Sequence, residues 1–252
     1  MTNRARIKLL FAVAVLITCA SLAAFQAAQK APDASSDPLI AGFQKTTVAS
    51  VADAVDAVVG ERGFMNFDMR PYSGTKFVGR ARTSLVRPAP PDKATPALAV
   101  KHSVEMIEEA NPGDVGVIVM ENGLNVAAIG GLMATAAKAR GMAGMVLDGG
   151  VRDVPELRAL NLPVFARSVT PATAVGRYAS VAKDIAVECA GVTVKPGDII
   201  VAGEDGVVRV PRERAQEVLK AAQEIDDRET KMVPYIQKFR SLKKAIEVFN
   251  RI

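Results

Sequence analysis

Residues 113–153 read GDVGVIVMENGLNVAAIGGLMATAAKARGMAGMVLDGGVRD. Val115 to Met120 is a short apolar run rich in β-branched residues, the pattern of a buried strand. Gly130 and Gly131 then stand at the mouth of an Ala-rich helix, Leu132 to Arg140, with Lys138 and Arg140 in its last turn and Gly141 as its C-terminal stop. Gly144 to Leu147 predicts a second buried strand, followed by Asp148-Gly149-Gly150 as a second glycine-rich turn and by Val151-Arg152-Asp153. Strand, turn, helix, strand, turn describes a parallel pair with a crossover, which brings both turns to one sheet edge. In α/β folds that edge is where ligands bind.

The two turns carry complementary chemistry. Glycines ahead of a helix leave backbone N–H groups open, and the helix dipole favours an anion there. Arg152 offers a planar fork for a carboxylate or phosphate. Asp153 is a hard oxygen ligand suited to Mg²⁺ or Mn²⁺. The combination points to a small carboxylated substrate on a divalent metal. Structural alternatives stay open: the glycine pair as a plain turn, Arg152 as a surface charge, and Asp153 as a cap for the helix that starts at Val154-Pro155.

The run GGLMATAAKARGMAGMVLDGGVRDVPELRALNLPVFAR resembles the core of the RraA-like family, which includes 4-hydroxy-4-methyl-2-oxoglutarate aldolases and regulators of ribonuclease E activity. The likeness continues through PGDIIVAGEDGVVRVPRERAQEV and, more weakly, upstream to GRARTSLV. It implies an α/β fold, a β/β/α sandwich like the swivelling phosphohistidine domain with added N- and C-terminal helices, assembled as a homotrimer or hexamer. It covers residues 45–228, the RraA-like domain; the residue patterns outside it divide the rest into 1–28 a signal peptide, 29–44 a linker and 229–252 a C-terminal amphipathic helix. In the aldolase members, backbone amides of the glycine turn hold a substrate carboxylate; the matching positions are Gly130, Gly131, Leu132 and Met133. Arg152 matches the substrate-binding arginine, and Asp153 matches the aspartate that ligates Mg²⁺ (or Mn²⁺) directly or through water. These two are the catalytic candidates. The implied chemistry is aldol cleavage or decarboxylation of a small 2-oxo dicarboxylic acid. One position departs: aldolase members often carry Glu or Asp directly after the first glycine of the turn, and here that residue is Gly131. Asp148, Glu121 and Glu204 are candidate replacements for the missing proton-transfer group. Without one, aldol cleavage is expected to be poor and oxaloacetate, which loses carbon dioxide without a base, the better substrate. A non-catalytic binding or regulatory protein on the same scaffold is the competing reading.

Composition narrows the classes further. The chain has 252 residues, 49% hydrophobic and 23% charged, enough for one sizeable core. Its formal net charge is +5. Arg4, Arg6 and Lys8 supply part of that excess; setting them aside leaves 29 of the 32 basic residues against 27 acidic ones. No basic run interleaved with aromatics is present and there is no Trp, so no nucleic-acid partner is expected. His102 is the single histidine, which excludes a multi-histidine metal site within one chain and leaves a Ser-His-Asp arrangement only that residue. Cys19 and Cys189 are the only cysteines.

Residues 1–28 have the layout of a secretory signal peptide: Arg4, Arg6 and Lys8, then the apolar run Leu9 to Ile17, then small residues with cleavage after Ala23 or Ala28. An uncleaved anchor and a lipoprotein built on Cys19 are the alternatives. A periplasmic or secreted location follows from the first and a membrane attachment from the others. Gln29 to Pro38, rich in Ala, Ser, Asp and Pro, reads as a disordered linker.

Elsewhere the pattern predicts helices at 49–59 and Val100–Glu109, and a strand from Lys76 to Val86 stopped at Pro88. Beyond the core a short helix is expected at Glu156–Leu160 and a strand at Pro163–Ala166. Residues Ser168–Tyr178 read as a loop, Val181–Val194 as paired strands, and Ile199–Ala202 with Val207–Val210 as a hairpin. A helix starts at Pro211. Val233, Ile236, Phe239, Leu242, Ile246 and Phe249 form one apolar stripe opposite Lys231, Lys238, Arg240, Lys243 and Lys244. That basic amphipathic helix packs on its own domain or a second subunit, or lies on a membrane surface.

Overall fold

The structure, a computed structural model, describes residues 37–251. The expected signal peptide, Cys19 and the first part of the expected linker lie outside them. Asp37 caps α1 (Pro38–Phe43), its Oδ1 accepting from the Leu39 amide at 3.0 Å. Thr47 caps α2 (Val48–Val59) in the same way through Ser50, and Gly60 ends it with φ at 75°. Then follow β1 (Arg70–Ser73), β2 (Phe77–Pro88), α3 (Pro96–Glu108), β3 (Val115–Met120), β4 (Ala127–Ile129), α4 (Gly131–Ala139), β5 (Gly144–Val151) and α5 (Val154–Ala159). β6 (Val164–Val169), β7 (Tyr178–Lys183), β8 (Val187–Cys189), β9 (Val192–Val194), β10 (Ile199–Gly203) and β11 (Gly206–Val210) complete the strands. A 3₁₀ turn at Arg212–Arg214 leads into α6 (Ala215–Phe239), and α7 (Leu242–Phe249) ends the described chain.

Nine strands form one mixed sheet in the order β1-β6-β5-β3-β2-β10-β11, with β4 beside β5 and β7 beside β2. β3 and β5 are the expected parallel pair, Val115 opposite Gly144 and Ile118 opposite Leu147. β2 is the longest strand and changes partners along its length. Phe77 to Arg80 pair antiparallel with β10; Ala81 to Val86 pair parallel with β3; Ser84 to Pro88 pair antiparallel with β7. β8 and β9 make a separate hairpin.

Strands in the middle of the sheet are apolar on both faces because both faces are covered. On one face Ile118, Met120, Met145 and Leu147 pack with Met106 and Ile107 of α3, Ala134 of α4 and Leu157 of α5. On the other, Val117, Val119 and Val146 pack with Phe165, Met65, Met69 and the β8–β9 hairpin. Phe77 and Phe165 meet there edge to face, ring centroids 5.5 Å apart. A third cluster joins Val201, Val208 and Val210 to Phe43, Val51, Val55 and Val218, so α1, α2 and α6 cover the β10–β11 end. This layering of helices, sheet and a second β layer is the expected β/β/α sandwich with added terminal helices.

The structure differs from the sequence reading in four places. Pro38–Phe43, assigned to the linker 29–44, is helical, with Ile40 and Phe43 buried and Asp37 paired to Arg80 at 2.7 Å. Asp148-Gly149-Gly150 is not a turn: β5 runs through it to Val151, with the β5–β6 register shifting between Leu147 and Gly150. The 228/229 boundary falls inside α6, which runs unbroken from Ala215 to Phe239. The amphipathic stripe is two helices rather than one, broken where Arg240 turns left-handed (φ 50°) and Ser241 caps α7. Among the described residues no helix is long and apolar enough to cross a membrane.

Candidate active site

The glycine turn and the Val-Arg-Asp segment meet because β4 and β5 are parallel neighbours. Ala127 stands opposite Gly150 and Ile129 opposite Val151, and the Arg152 amide donates to the Ile129 carbonyl at 3.2 Å. The chain leaves β4 through Gly130 into α4, and leaves β5 through Arg152 and Asp153 into α5. Gly130, Gly131, Arg152 and Asp153 are therefore neighbours, as the sequence implied.

Asp153 has φ 56° and ψ 40°, a left-handed conformation uncommon outside glycine. Aspartate tolerates it better than most residues, but it still stores on the order of 1 kcal/mol. Two bonds hold it: its carbonyl accepts from the Leu157 amide at 3.1 Å, and its Oδ2 accepts from the Gly131 amide at 2.9 Å. The side chain makes no capping bond to its own helix α5. Asp153 thus caps a helix, but α4 rather than α5, across 22 residues of sequence.

Gly130 is extended, at φ −138°, and any residue could adopt that backbone. What excludes a side chain is space: a Cβ would lie 2.5 Å from Asp153 Oδ2 and 2.9 Å from Arg152 Nε. At Gly131 a Cβ would meet nothing nearer than Glu156 Cβ, at 3.6 Å. The first turn of α4 has no intrahelical acceptors for its N–H groups. Gly131 gives its N–H to Asp153, and among the described residues the amides of Leu132 and Met133 have no acceptor. The Leu132 side chain is 90% exposed; Met133 packs partly on the core.

Arg152 Nε stands 3.8 Å from Asp153 Oδ2, both side chains about two-fifths exposed. With Val154, Pro155, Val169, Thr170 and Pro171 they line an open cleft of about 330 Å³. Val169 to Pro171 fall in the stretch read as a loop, with no role in the site. The signal for them is topological: β6 is the parallel neighbour of β5, so its C-terminal end opens on the same edge.

The donor set tests the expected metal. Asp153 uses one carboxylate oxygen on Gly131 and keeps Oδ1 without a hydrogen bond among the described residues. No cluster of three His, Cys, Asp or Glu that would cage an ion occurs among those residues. Such a site fits Mg²⁺ or Mn²⁺ that keeps most of its waters and takes further oxygens from a substrate, and does not fit a metal needing a protein cage.

The candidate proton-transfer groups lie elsewhere. Asp148 points to the opposite sheet face, where its Oδ1 pairs with Arg167 at 2.8 Å and its Oδ2 accepts from the Ala190 amide. Arg167 also binds Asp68, and these hydrogen bonds hold its guanidinium well above the usual arginine range despite burial. Glu121 pairs with Arg87 at 3.4 Å, and both line a separate cavity with Asp148 and Arg167. Glu204 lies in the β10–β11 turn, three strands away from β5. His102 pairs with Glu105 one turn along α3, at 2.9 Å, and forms no triad.

Comparison with known proteins gives the family. The family model for RraA-like proteins, Aldolase/RraA, matches residues 48–209. A protein of Halalkalibacterium halodurans, provisionally named 4-hydroxy-4-methyl-2-oxoglutarate aldolase, is 33% identical over 188 residues, covering 73% of this chain and 81% of its own. The crystal structure of Streptomyces coelicolor RraAS2, titled an unusual member of the RNase ES inhibitor RraA protein family, superposes with a TM-score of 0.66 at 30% identity, covering 77% of this chain and 95% of that one. A Pseudomonas syringae pv. tomato structure gives 0.74 at 26% identity, covering 83% and 93%. The family match over residues 48–209 and the 33% identity to a relative covered over 81% of its length place the chain: it belongs to the RraA-like family.

Proposed function

We propose that the protein is a divalent-metal-dependent lyase acting on small 2-oxo dicarboxylic acids, by aldol cleavage of 4-hydroxy-4-methyl-2-oxoglutarate or decarboxylation of oxaloacetate. The observation that carries this is that an arginine fork and a carboxylate with one unpartnered oxygen line one cleft, and that the same carboxylate is hydrogen-bonded to the first turn of α4, where two further amides have no acceptor among the described residues. The aldolase names among the relatives support it.

In this reading the amides of Leu132 and Met133 hold one substrate carboxylate at the positive end of α4. Arg152 clamps and orients the other polar end. Asp153 would hold Mg²⁺ (or Mn²⁺), which would supply Lewis-acid polarisation of the 2-oxo group. Asp153 would serve both purposes because Oδ2 fixes the start of α4 while Oδ1 has no hydrogen bond among the described residues. The exposed Val169 on the cleft and the exposed Leu132 in the first turn of α4 suit cover by a second copy in a homotrimer or hexamer.

Gly131, which has no side chain for proton transfer, favours a second reading: a non-catalytic binding or regulatory protein on this scaffold. Turnover separates the two. Purified protein is incubated with each acid, with and without Mg²⁺, and pyruvate release is followed. Mg²⁺-dependent release supports the lyase; saturable binding without release supports the alternative.

The N-terminal pattern supports export to the periplasm or beyond, with an uncleaved anchor as the other outcome. Export would separate the protein from cytoplasmic partners and weaken a role on a ribonuclease there.

A further inference from the structure

Aldol cleavage requires a group that takes the proton of the substrate's hydroxyl. Of the acids near the two turns, Asp153 is committed to Gly131, while Asp148 and Glu121 serve the opposite face of the sheet. Glu156 is different. It lies in the first turn of α5, three residues after Asp153, and is exposed. Among the described residues its carboxylate makes no hydrogen bond and no ion pair. Its Cβ stands 3.6 Å from the point a Cβ on residue 131 would occupy, and Asp153 Cβ and Oδ2 both stand 3.7 Å from that same point. The Glu156 side chain therefore starts beside the volume Gly131 leaves empty, on the same side of the turn as Asp153.

We propose that Glu156 is the proton-transfer residue of the aldol cleavage, supplied by α5 where residue 131 supplies none. The assignment rests on the lyase reading above and deepens it. Glu156, directly or through one water, takes the proton from the 4-hydroxyl of 4-hydroxy-4-methyl-2-oxoglutarate. The O–H electron pair becomes the new carbonyl π bond, and the C3–C4 bond breaks. Its electrons pass to the other fragment as the enolate of pyruvate. The protonated Glu156 then returns its proton to C3 of that enolate. One substrate yields two pyruvates, and the carboxylate ends as it began. Oxaloacetate decarboxylation has no hydroxyl proton to remove and depends on Glu156 far less. The poor cleavage expected from Gly131 alone is thereby reversed: the wild type cleaves the hydroxy acid.

The test compares wild type, Glu156→Gln and the double variant Gly131→Glu/Glu156→Gln. Each is measured for kcat and KM on both substrates with Mg²⁺, for calorimetric binding of oxalate as an enolate mimic, and for thermal melting. Glu156→Gln is expected to lose about 10²-fold or more in kcat for aldol cleavage. KM, oxalate affinity and melting should stay as in the wild type, and oxaloacetate decarboxylation should fall much less. The double variant is expected to regain cleavage, because a side chain at 131 meets only ordinary contacts. Undiminished cleavage by Glu156→Gln in an active enzyme overturns the assignment alone. So does an equal loss on both substrates, or a loss of oxalate binding. A wild type inert on both substrates overturns the lyase reading and the assignment with it.

Discussion

Asp153 Oδ2 accepts the Gly131 amide at 2.9 Å, so the residue expected to hold the metal also fixes the start of the helix expected to hold the substrate. One carboxylate couples the two halves of the site, and its two oxygens separate the tasks. Substitutions that keep the acceptor and those that remove it should have different effects.

Asp153→Asn keeps an oxygen for the Gly131 amide and suits the left-handed backbone, since asparagine is among the residues that tolerate it. It loses the charge. Folding stability should change little while Mg²⁺ affinity and lyase turnover fall by a large factor. Asp153→Ala also removes the cap and should cost about 1 kcal/mol more. Calorimetric Mg²⁺ titration beside denaturant unfolding reads both. Normal metal binding by Asp153→Asn would leave the residue as a cap only.

The glycines should also part company. Gly130→Ala places a carbon 2.5 Å from Asp153 Oδ2 and must push both site side chains aside. Those are movable side-chain ends, so the damage should fall on activity, at least tenfold, more than on stability. Gly131→Ala meets nothing nearer than 3.6 Å and adds a better helix former, so it should be neutral or stabilise by a few tenths of a kcal/mol. Kinetics and melting of the two variants decide; equal activity losses would contradict the geometry.

A pH effect is expected away from the site. Arg82 binds Asp184 through two hydrogen bonds of 2.7 Å, and this holds the Asp184 carboxyl below its usual range. A group with a lowered folded-state pKa stabilises the fold above its unfolded value, about 3.9, and loses that contribution as pH falls through the folded one. Asp184, at φ 51°, accepts asparagine without strain. Asp184→Asn should therefore be less stable by about 1 kcal/mol at pH 7, allowing for partial exposure, with the gap to wild type closing below about pH 4. Urea unfolding at both pH values is the measurement; a gap that persists in acid would rule out the charge as its source.

Export predicts a shortened protein. Mass spectrometry of material from the native cell envelope should show the chain starting after Ala23 or Ala28. An intact N-terminus in the cytosolic fraction would contradict it.

Where local pattern and burial agreed, the fold was legible. Val115–Met120 is β3 to the residue, because a strand buried on both faces is apolar throughout. The helix expected at 49–59 is α2, Val48–Val59. Asp148-Gly149-Gly150 misled because its glycines serve close packing inside β5, where Gly150 lies against Thr170 and Val126, rather than a turn. α1 was hidden because six residues carry too little periodicity to outweigh the polar stretch before them. Arg152, Asp153 and the glycine pair were readable from the chain, while Glu156 and Thr170 were not. Their place depends on which strands neighbour β5 and how α5 lies beside α4, which no local pattern encodes.

The partner exchange along β2 bears on how quickly the chain folds. Ser84 must find Ile118 on one side and Lys183 on the other, and Val78 must find Val201. None of these pairings is a hairpin. Each closes a long loop before any contact repays the lost chain entropy. Refolding is therefore expected to be slow, and substitutions in β2 should lower the folding rate as well as speed unfolding. α4 and α5 pack on the face carried by β3 and β5, which join the rest of the sheet through β2, so the binding site is expected to be among the last regions to gain protection from hydrogen exchange.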